Sequence, residues 1–267
     1  MAVGDFAAGE VPLTAKQRAD GGLIEVPGIL IAIVPIYNLP GVKGELRLSG
    51  AVLADIFLGR IKTWNSASIA QLNPQLSLPD LPIKVIYRPA GKGSNYVFSD
   101  FLSRSSARFR AQVGTGASPE WPVGSAAERS SDLAAKVKTE PGSIGYVEVQ
   151  YAAKMNIAQA LVLNPAGRFV KASRETVTAA CRAAEAPGFD RLSASLINAP
   201  GENSYPITSF SWIYLQTSLP EARRARALVD LLNWILTMGQ QVASQESYAA
   251  LPTPVVAKVQ ARIAALR

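Results

Sequence analysis

The sequence predicts an α/β fold with a largely parallel sheet, and three observations support this prediction. The 267 residues are 48% hydrophobic, which is enough to bury a substantial core. Two segments, 28–38 and 209–216, are apolar and rich in β-branched or aromatic residues, as expected of buried strands. Strand and helix patterns alternate along the chain, which is typical of α/β proteins.

The first elements follow in order from residue 28. The segment GILIAIVPIYN, residues 28–38, predicts a strand covered on both faces. Ser49 is expected to cap a short helix that Gly59 ends. Residues 65–74 repeat this pattern of cap, helix and stop, so a second short helix is predicted before the next strand.

Residues 84–102, KVIYRPAGKGSNYVFSDFL, predict a strand, a tight turn and a helix in immediate succession. Gly91 and Gly93 permit the sharp turn, and Ser94 or Asn95 is expected to cap the helix. Free N–H groups and the positive end of the helix dipole then meet at one point, which favours an anion there.

Arg88 and Lys92 lie beside this turn, so the segment predicts an oxyanion site. Nucleotide-binding motifs do not fit it. A P-loop needs glycine where Ile86 stands and Ser or Thr where Gly93 stands, and a dinucleotide fingerprint needs glycine at Tyr96. An ordinary strand-to-helix turn with solvated charges remains the alternative.

The second half of the chain continues the alternation. A polar stretch is followed by a helix over 132–138 and a strand over 144–149, while residues 152–203 are expected to be helical and loop-like. After the strand at 209–216, two amphipathic helices are predicted, over 221–243 and 255–266. The stripe of the first that is expected to face the core comprises Leu228, Leu231, Leu232, Ile235, Met238 and Val242.

Composition narrows the classes of function. The net charge is +7, but the basic residues are scattered, and the densest cluster, residues 223–226, is expected to be a solvated helix face rather than a nucleic-acid surface. The chain has no histidine, which excludes Ser-His-Asp and Cys-His nucleophiles and His-containing zinc sites. Cys181 is expected to be a small buried residue. Neither a metal nor a cofactor is predicted.

The sequence also bears on targeting segments and on the division of the chain into lobes. No signal-peptide pattern follows Met1, and the longest apolar run, 29–36, is too short to span a bilayer. We expect two lobes with a cleft between them. The first lobe is discontinuous and comprises residues 1–36 plus 206–267, and the second comprises residues 37–205.

Several segments together resemble one family, the PstS-type periplasmic phosphate-binding proteins of phosphate ABC transporters. Their order along the chain makes the resemblance specific. The segments are DFAAGEVPLT, IVPIYNLPGVKGELRLSGAVLADIFLGRIKTWN, QLNP, YRPAGKGSNYVFSDFLS, VGTGASPEWPVG, PGSIGYVE, YPITSFSWI and YAALPTPVV.

The resemblance implies a type II periplasmic-binding-protein fold, with two lobes joined by two crossover strands. It also implies that the protein is not an enzyme. Such a protein closes over inorganic phosphate and delivers it to ABC transporter permease subunits in the periplasm. Arg88 matches the family's phosphate-binding arginine, Gly93 a glycine whose N–H contacts the anion, and Ser94 a position that is usually threonine. Lys92 and Asn95 complete the expected loop, and Glu10 is expected to face the anion from the other lobe.

Departures from the family pattern are informative. Ala90 stands where an acid usually pairs with the arginine, Lys92 replaces a ligand serine, and Glu10 replaces an aspartate that accepts the proton of hydrogen phosphate. That acceptor is what would exclude sulfate, because a carboxylate repels an unprotonated oxygen. Residues 125–133 replace a glycine-rich stretch, and the family's opening strand, helix and second ligand loop have no counterpart, so the first lobe is expected to be incomplete.

Two alternatives remain. One is a scaffold or partner-binding protein with weak or lost oxyanion binding, in which another copy of the chain covers the incomplete lobe. The other is an enzyme that acts on a phosphorylated substrate, with Lys92 and Glu10 as acid and base. The enzyme is disfavoured because the sequence supplies no nucleophile with a partnered base.

Overall fold

The computed structural model describes residues 4–20, 22–185, 195–217, 221–246 and 248–264. The strands of this described part are β1 (Phe6–Gly9), β2 (Leu23–Tyr37), β3 (Arg47–Leu48), β4 (Lys84–Tyr87), β5 (Ser125–Ala126), β6 (Ser143–Glu148), β7 (Leu161–Leu163), β8 (Phe169–Val170) and β9 (Thr208–Gln216). The helices are α1 (Ala15–Asp20), α2 (Gly50–Phe57), α3 (Ala67–Ala70), α4 (Gly93–Ser105), α5 (Ala107–Gln112), α6 (Ser130–Thr139), α7 (Val149–Lys154), α8 (Arg174–Glu185), α9 (Ala222–Leu236), α10 (Met238–Gln245) and α11 (Thr253–Ile263).

A six-stranded sheet in the order β1-β9-β2-β6-β4-β5 forms the centre of the molecule. The α/β class is confirmed, but the expectation of a largely parallel sheet is wrong. Only β6–β4 and β4–β5 pair in parallel, whereas β1–β9, β9–β2 and β2–β6 are antiparallel. The reason is topological, because β6 and β9 return beside β2 from the opposite direction after long excursions of the chain.

Strand β2 runs through both halves of this sheet. Its first part, Leu23 to Ala32, pairs with β9, and its last part, Ile33 to Tyr37, pairs with β6. The strand is almost wholly buried, as its continuous apolar sequence predicts. A register shift between Pro27 and Ile29 marks an irregularity where Gly28 lies. This one strand therefore joins the β9 side of the sheet to the β6 side.

Residues 152–203 contain structure that the sequence did not predict. Strands β7 and β8 lie in this segment and form a second, three-stranded sheet with β3. Each is only two or three residues long, so no alternating pattern is long enough to distinguish it from a loop. The predicted burial of Cys181 on α8 is confirmed.

The predicted helix over 221–243 is two helices, α9 and α10, separated at Thr237, whose backbone φ and ψ are −117° and −91°. The predicted core stripe is only partly correct. Leu228 and Leu232 are buried, but Met238 and Val242 are 52% and 48% exposed, and Leu231 is also exposed. The break at Thr237 changes the direction of the second segment, so a single helical period no longer describes which residues face the core.

The predicted start and end of α2 are confirmed. Ser49 caps α2 by accepting a hydrogen bond from the Val52 N–H, as predicted. Gly59 follows that helix with a positive φ of 70°. In the stretches that the structure describes, no helix combines the length and the apolar character needed to cross a membrane.

Candidate functional site

The segment β4–turn–α4 builds the site. Gly91 takes a positive φ of 83°, which suits glycine, and the chain then enters α4 at Gly93. The predicted cap is wrong: Lys92 is the N-cap residue, without a side-chain cap bond, and Ser94 and Asn95 lie within the first turn. The N–H groups of Gly93 and Ser94 have no acceptor in the described part of the chain, so the N-terminus of this helix keeps free donors.

Asn95 holds the turn before α4 in place. Its side chain is fully buried and donates to the carbonyl oxygens of Arg88, Pro89 and Ala117, at 3.2, 2.7 and 3.1 Å. Its carbonyl oxygen accepts a hydrogen bond from the Tyr146 hydroxyl. The side chain therefore ties the turn to neighbouring loops, and its polar atoms are already in use.

Tyr146 supports the same turn from β6. Its hydroxyl accepts a hydrogen bond from the Arg88 backbone N–H at 3.2 Å while it donates to Asn95. Burial raises the pKa of this hydroxyl, so Tyr146 stays protonated and keeps its donor role. The ring stacks on Phe98 of α4, with centroids 4.3 Å apart. Packing and hydrogen bonds thus fix the same geometry.

Arg88 lies at the end of this arrangement with only 8% of its surface exposed. One terminal nitrogen donates to the Ser130 hydroxyl, and the other donates to the Glu128 carbonyl oxygen at 2.9 Å. The third nitrogen, Nε, is buried and has no hydrogen-bond partner within the described residues. A buried guanidinium N–H without an acceptor is costly, and an anionic oxygen would satisfy it.

Glu10 contacts the start of α4 from the other side. A Cβ added at Gly93 would overlap the carboxylate of Glu10 and would come 2.9 Å from the Cβ of Glu10. The absence of a side chain at Gly93 therefore permits this close approach. The contact joins the loop after β1 to the helix after β4, which are distant in the sequence.

The electrostatics of Glu10 are unusual for a carboxylate. Burial raises its pKa, and the negative charge of Glu148 raises it further. A hydrogen bond from its own backbone and the positive charge of Arg88 act in the opposite direction and are weaker. Glu10 consequently holds a proton more readily than an exposed glutamate does.

Lys92 is paired rather than free. Its ammonium lies 2.6 Å from a carboxylate oxygen of Glu128. Glu128 and Ser130 belong to the stretch 125–133, so this stretch supplies both a counter-charge for Lys92 and hydrogen-bond acceptors for Arg88. No pattern in the sequence identifies either residue as part of the site.

The structure thus brings the predicted residues together, although it gives them different tasks. Gly93 and Ser94 form the start of α4, Glu10 contacts it, and Arg88 begins the turn that leads into it. Lys92, the N-cap residue, pairs with Glu128, and the buried Asn95 ties the turn to neighbouring loops. Free helical N–H groups beside a buried arginine can bind a tetrahedral oxyanion. Across the described ranges, no cluster of three or more acidic, His or Cys residues could hold a metal ion.

Comparisons with known proteins identify the family. Residues 2–237 match the family model for a PBP superfamily domain. The chain is 38% identical over 259 residues to the phosphate-binding protein PstS of Pasteurella multocida, and the match covers 97% of this chain and 75% of that protein. It is 35% identical over 258 residues to the protein of the same name from Xylella fastidiosa, with 96% and 71% covered.

A solved structure gives the same fold. The phosphate-binding protein from Stenotrophomonas maltophilia superposes with a TM-score of 0.68 at 16% identity, covering 97% of this chain and 79% of that one.

Proposed function

Because the chain belongs to the PstS-type phosphate-binding proteins within the PBP superfamily, we propose that it binds inorganic phosphate and delivers it to an ABC transporter permease for uptake. The proposal rests on two sets of unused donors in the described part of the chain: the buried Nε of Arg88 and the free N–H groups at the start of α4. The family consists of transport receptors rather than enzymes.

The anion would be bound by a small set of donors. Arg88 would donate from Nε, and Gly93 and Ser94 would donate their backbone N–H groups, with the Ser94 hydroxyl as a further donor. Lys92 would add positive charge at the edge of the site, and its ion pair with Glu128 would offset part of that charge. Asn95 would act indirectly, because its side-chain amide holds the turn through hydrogen bonds to three carbonyl oxygens.

Glu10 would distinguish phosphate from sulfate. Its carboxylate faces the start of α4 and could accept the proton of hydrogen phosphate. Sulfate carries no proton near neutral pH, so its oxygen atoms and the carboxylate would repel each other. The longer side chain of glutamate fits here because Gly93 leaves room for it.

The two proposed lobes are residues 1–36 plus 206–267 and residues 37–205. The change of partner along β2, from β9 to β6 after Ala32, supports a boundary close to residue 36. Glu10 would then belong to the first lobe and Arg88 to the second, so that phosphate would join the lobes as the cleft closes. By relation to its family, the protein would work in the periplasm beside the permease.

Isothermal titration of the purified protein with phosphate, and separately with sulfate, tests the proposal. We expect saturable heat with phosphate at one site and much weaker or no heat with sulfate. Absence of heat with both anions, for a protein shown to be folded by circular dichroism, would overturn it.

A second candidate function is a partner-binding protein that associates with another copy of itself. The observation that favours it is an exposed apolar stripe on α9 and α10, formed by Leu231, Trp234, Met238 and Val242. Light scattering distinguishes the two functions. This candidate is favoured if the protein is a dimer with and without phosphate and gives no heat when it is titrated with phosphate. A phosphate-binding monomer excludes it.

A further inference from the structure

A cavity of about 530 Å³ lies at the edge of the central sheet, beside the first half of β4. β5 is the last strand of this sheet, and it pairs only with Ile86 and Tyr87 of β4. Lys84 and Val85 therefore have no strand next to them on that side in the described part of the chain, and both line the cavity. Its volume falls within the range of small-molecule sites.

The walls of the cavity come from one continuous part of the chain. The described residues that line it all lie within 56–140, a range that the structure describes without a break and that belongs to the proposed second lobe. Two lining glycines let these walls pack closely. A Cβ added at Gly124 would come 2.5 Å from the carbonyl oxygen of Val85, and one at Gly59 would come 2.5 Å from a side-chain carbon of Val123. Packed backbone therefore sets the shape of the cavity.

The apolar part of the lining is aliphatic. Ile56, Ile61, Val85 and Val123 contribute branched side chains, and each of them is buried or half-buried. No aromatic side chain is among the described residues of the lining. A wall of this kind favours the burial of an alkyl chain, because apolar surface is removed from water on both sides of the contact.

The charge at the cavity is positive. Lys62 and Lys84 line it, and neither ammonium has an ion pair or hydrogen bond with another described residue. Glu140 is the one acid among the described lining residues, and its carboxylate lies 3.9 Å from the ammonium of Lys136, which is outside the lining. Lysine carries its charge on a flexible stem, so both free ammonium groups can reach an anion held between them.

We propose that this cavity binds a carboxylate that carries an alkyl chain. The chain would pack on the isoleucines and valines, and the carboxylate would accept charge-assisted hydrogen bonds from Lys62 and Lys84. An inorganic anion would gain nothing from the aliphatic wall, and an organic cation would be repelled by the two lysines. A metal ion would find a single carboxylate, Glu140, among the described lining residues.

The inference does not rest on phosphate binding. None of Arg88, Glu10 and residues 92–95 is among the described residues of the lining. The cavity lies at the start of β4, whereas Arg88 follows the end of that strand. Four residues of extended chain, or roughly 13 Å, separate Lys84 from Arg88. Phosphate titrations and carboxylate titrations of the same protein therefore succeed or fail separately.

Titration calorimetry with three matched compounds tests the proposal in phosphate-free buffer. Octanoate is the probe, 1-octanol is its neutral analogue, and octylammonium is its cationic analogue. We expect octanoate to bind at one site, and the other two to bind at least about tenfold more weakly, because neither can accept a charge-assisted hydrogen bond from lysine as an anion does. Equal binding of all three, or no binding of octanoate, would overturn the proposal.

Variants locate the site. Lys62→Gln and Lys84→Gln each remove one charge at an exposed position, so the fold should be unaffected. Each change should weaken octanoate binding several-fold, and the two together should weaken it by about tenfold or more. Lys43→Gln is the matched control, because Lys43 is an exposed lysine of the same lobe outside the lining, so binding should not change. Unaltered binding in the double variant would contradict the assignment.

One further variant separates this cavity from the anion site. Arg88→Lys should leave octanoate binding unchanged, because Arg88 does not line the cavity. Loss of octanoate binding in Arg88→Lys, with binding retained in the double lysine variant, would place the carboxylate at the start of α4 and overturn the inference.

Discussion

Replacing Arg88 with lysine would test the geometry of the anion site more sharply than removing the charge. Arg88 uses its terminal nitrogens on Ser130 and Glu128, and its Nε, the proposed ligand donor, has no partner among the described residues. Lysine keeps the positive charge but has one nitrogen on a flexible stem. The three N–H groups of lysine diverge from one atom and cannot reach the positions of three separate guanidinium nitrogens, so Arg88→Lys separates charge from shape.

The expected magnitude follows from the bonds that are lost. A hydrogen bond to a charged group contributes about 1.5–3 kcal/mol. Loss of the ligand bond from Nε should weaken phosphate binding by about 10- to 150-fold, at about 1.4 kcal/mol per tenfold. Loss of one bond to Ser130 or Glu128 should lower the free energy of unfolding by about 1–3 kcal/mol, because the bond to the Ser130 hydroxyl is buried and the bond to the Glu128 carbonyl oxygen is partly buried.

Calorimetric titration with phosphate measures the first effect, and urea denaturation measures the second. Arg104→Lys is the matched control, because Arg104 lies near the far end of α4 and its half-exposed guanidinium pairs with Asp100. Exposed pairs contribute little, so neither quantity should change in the control. If Arg88→Lys bound phosphate as tightly as the unaltered protein, the assignment of Nε as a ligand donor would be refuted.

Three further changes have defined outcomes. Burial raises the pKa of Glu10, so its ionised carboxylate lowers the free energy of unfolding at about pH 7. This destabilisation disappears as the pH falls through the pKa of Glu10 in the folded state. Glu10→Gln should therefore be the more heat-stable protein at neutral pH, with a difference that shrinks in acid, and it should gain sulfate binding; a less stable variant at neutral pH would contradict this. Gly93→Ala should weaken phosphate binding in calorimetry by about tenfold, because the new Cβ displaces Glu10, whereas Gly116→Ala, with its nearest neighbour 3.8 Å away, should not. Asn95→Ala should lower the free energy of unfolding in urea by about 3 kcal/mol, since three carbonyl oxygens and the Tyr146 hydroxyl lose their partner; a loss below about 1 kcal/mol would show that the turn does not depend on it.

Strong local patterns were sufficient to predict the main elements of the fold. The apolar run within β2 and the alternation within β9 are long enough to identify buried strands, and both strands are present. Strand direction was not predictable, because direction depends on where the chain returns after a long excursion. The same limit applies to α9 and α10, where the break at Thr237 and the exposure of Met238 depend on tertiary packing.

The candidate site was likewise predicted only in part. The loop after β4 was predicted from its glycines and basic residues, and the structure brings Glu10 to it from a distant segment. The role of Asn95 was not evident, because an asparagine near a helix start usually suggests a cap, whereas here its amide satisfies loop carbonyls. Glu128 was missed because only the three-dimensional fold brings it to Lys92.

The changes at positions 90 and 92 can now be understood together with the changes at 125–133. Ala90 offers no acid to the arginine, and Lys92 adds a positive charge beside it. The substituted stretch supplies the Glu128 carboxylate for Lys92 and two oxygen acceptors for Arg88. The added charge is thereby balanced locally, and Nε of Arg88 remains available for an anion.

A crystal structure of the protein grown with phosphate tests the central claim most directly. The account predicts one phosphate ion within hydrogen-bonding distance of Nε of Arg88 and of the backbone N–H groups of Gly93 and Ser94, with Glu10 facing it. Phosphate bound elsewhere in the molecule, with these donors contacting only water at saturating phosphate, would contradict it.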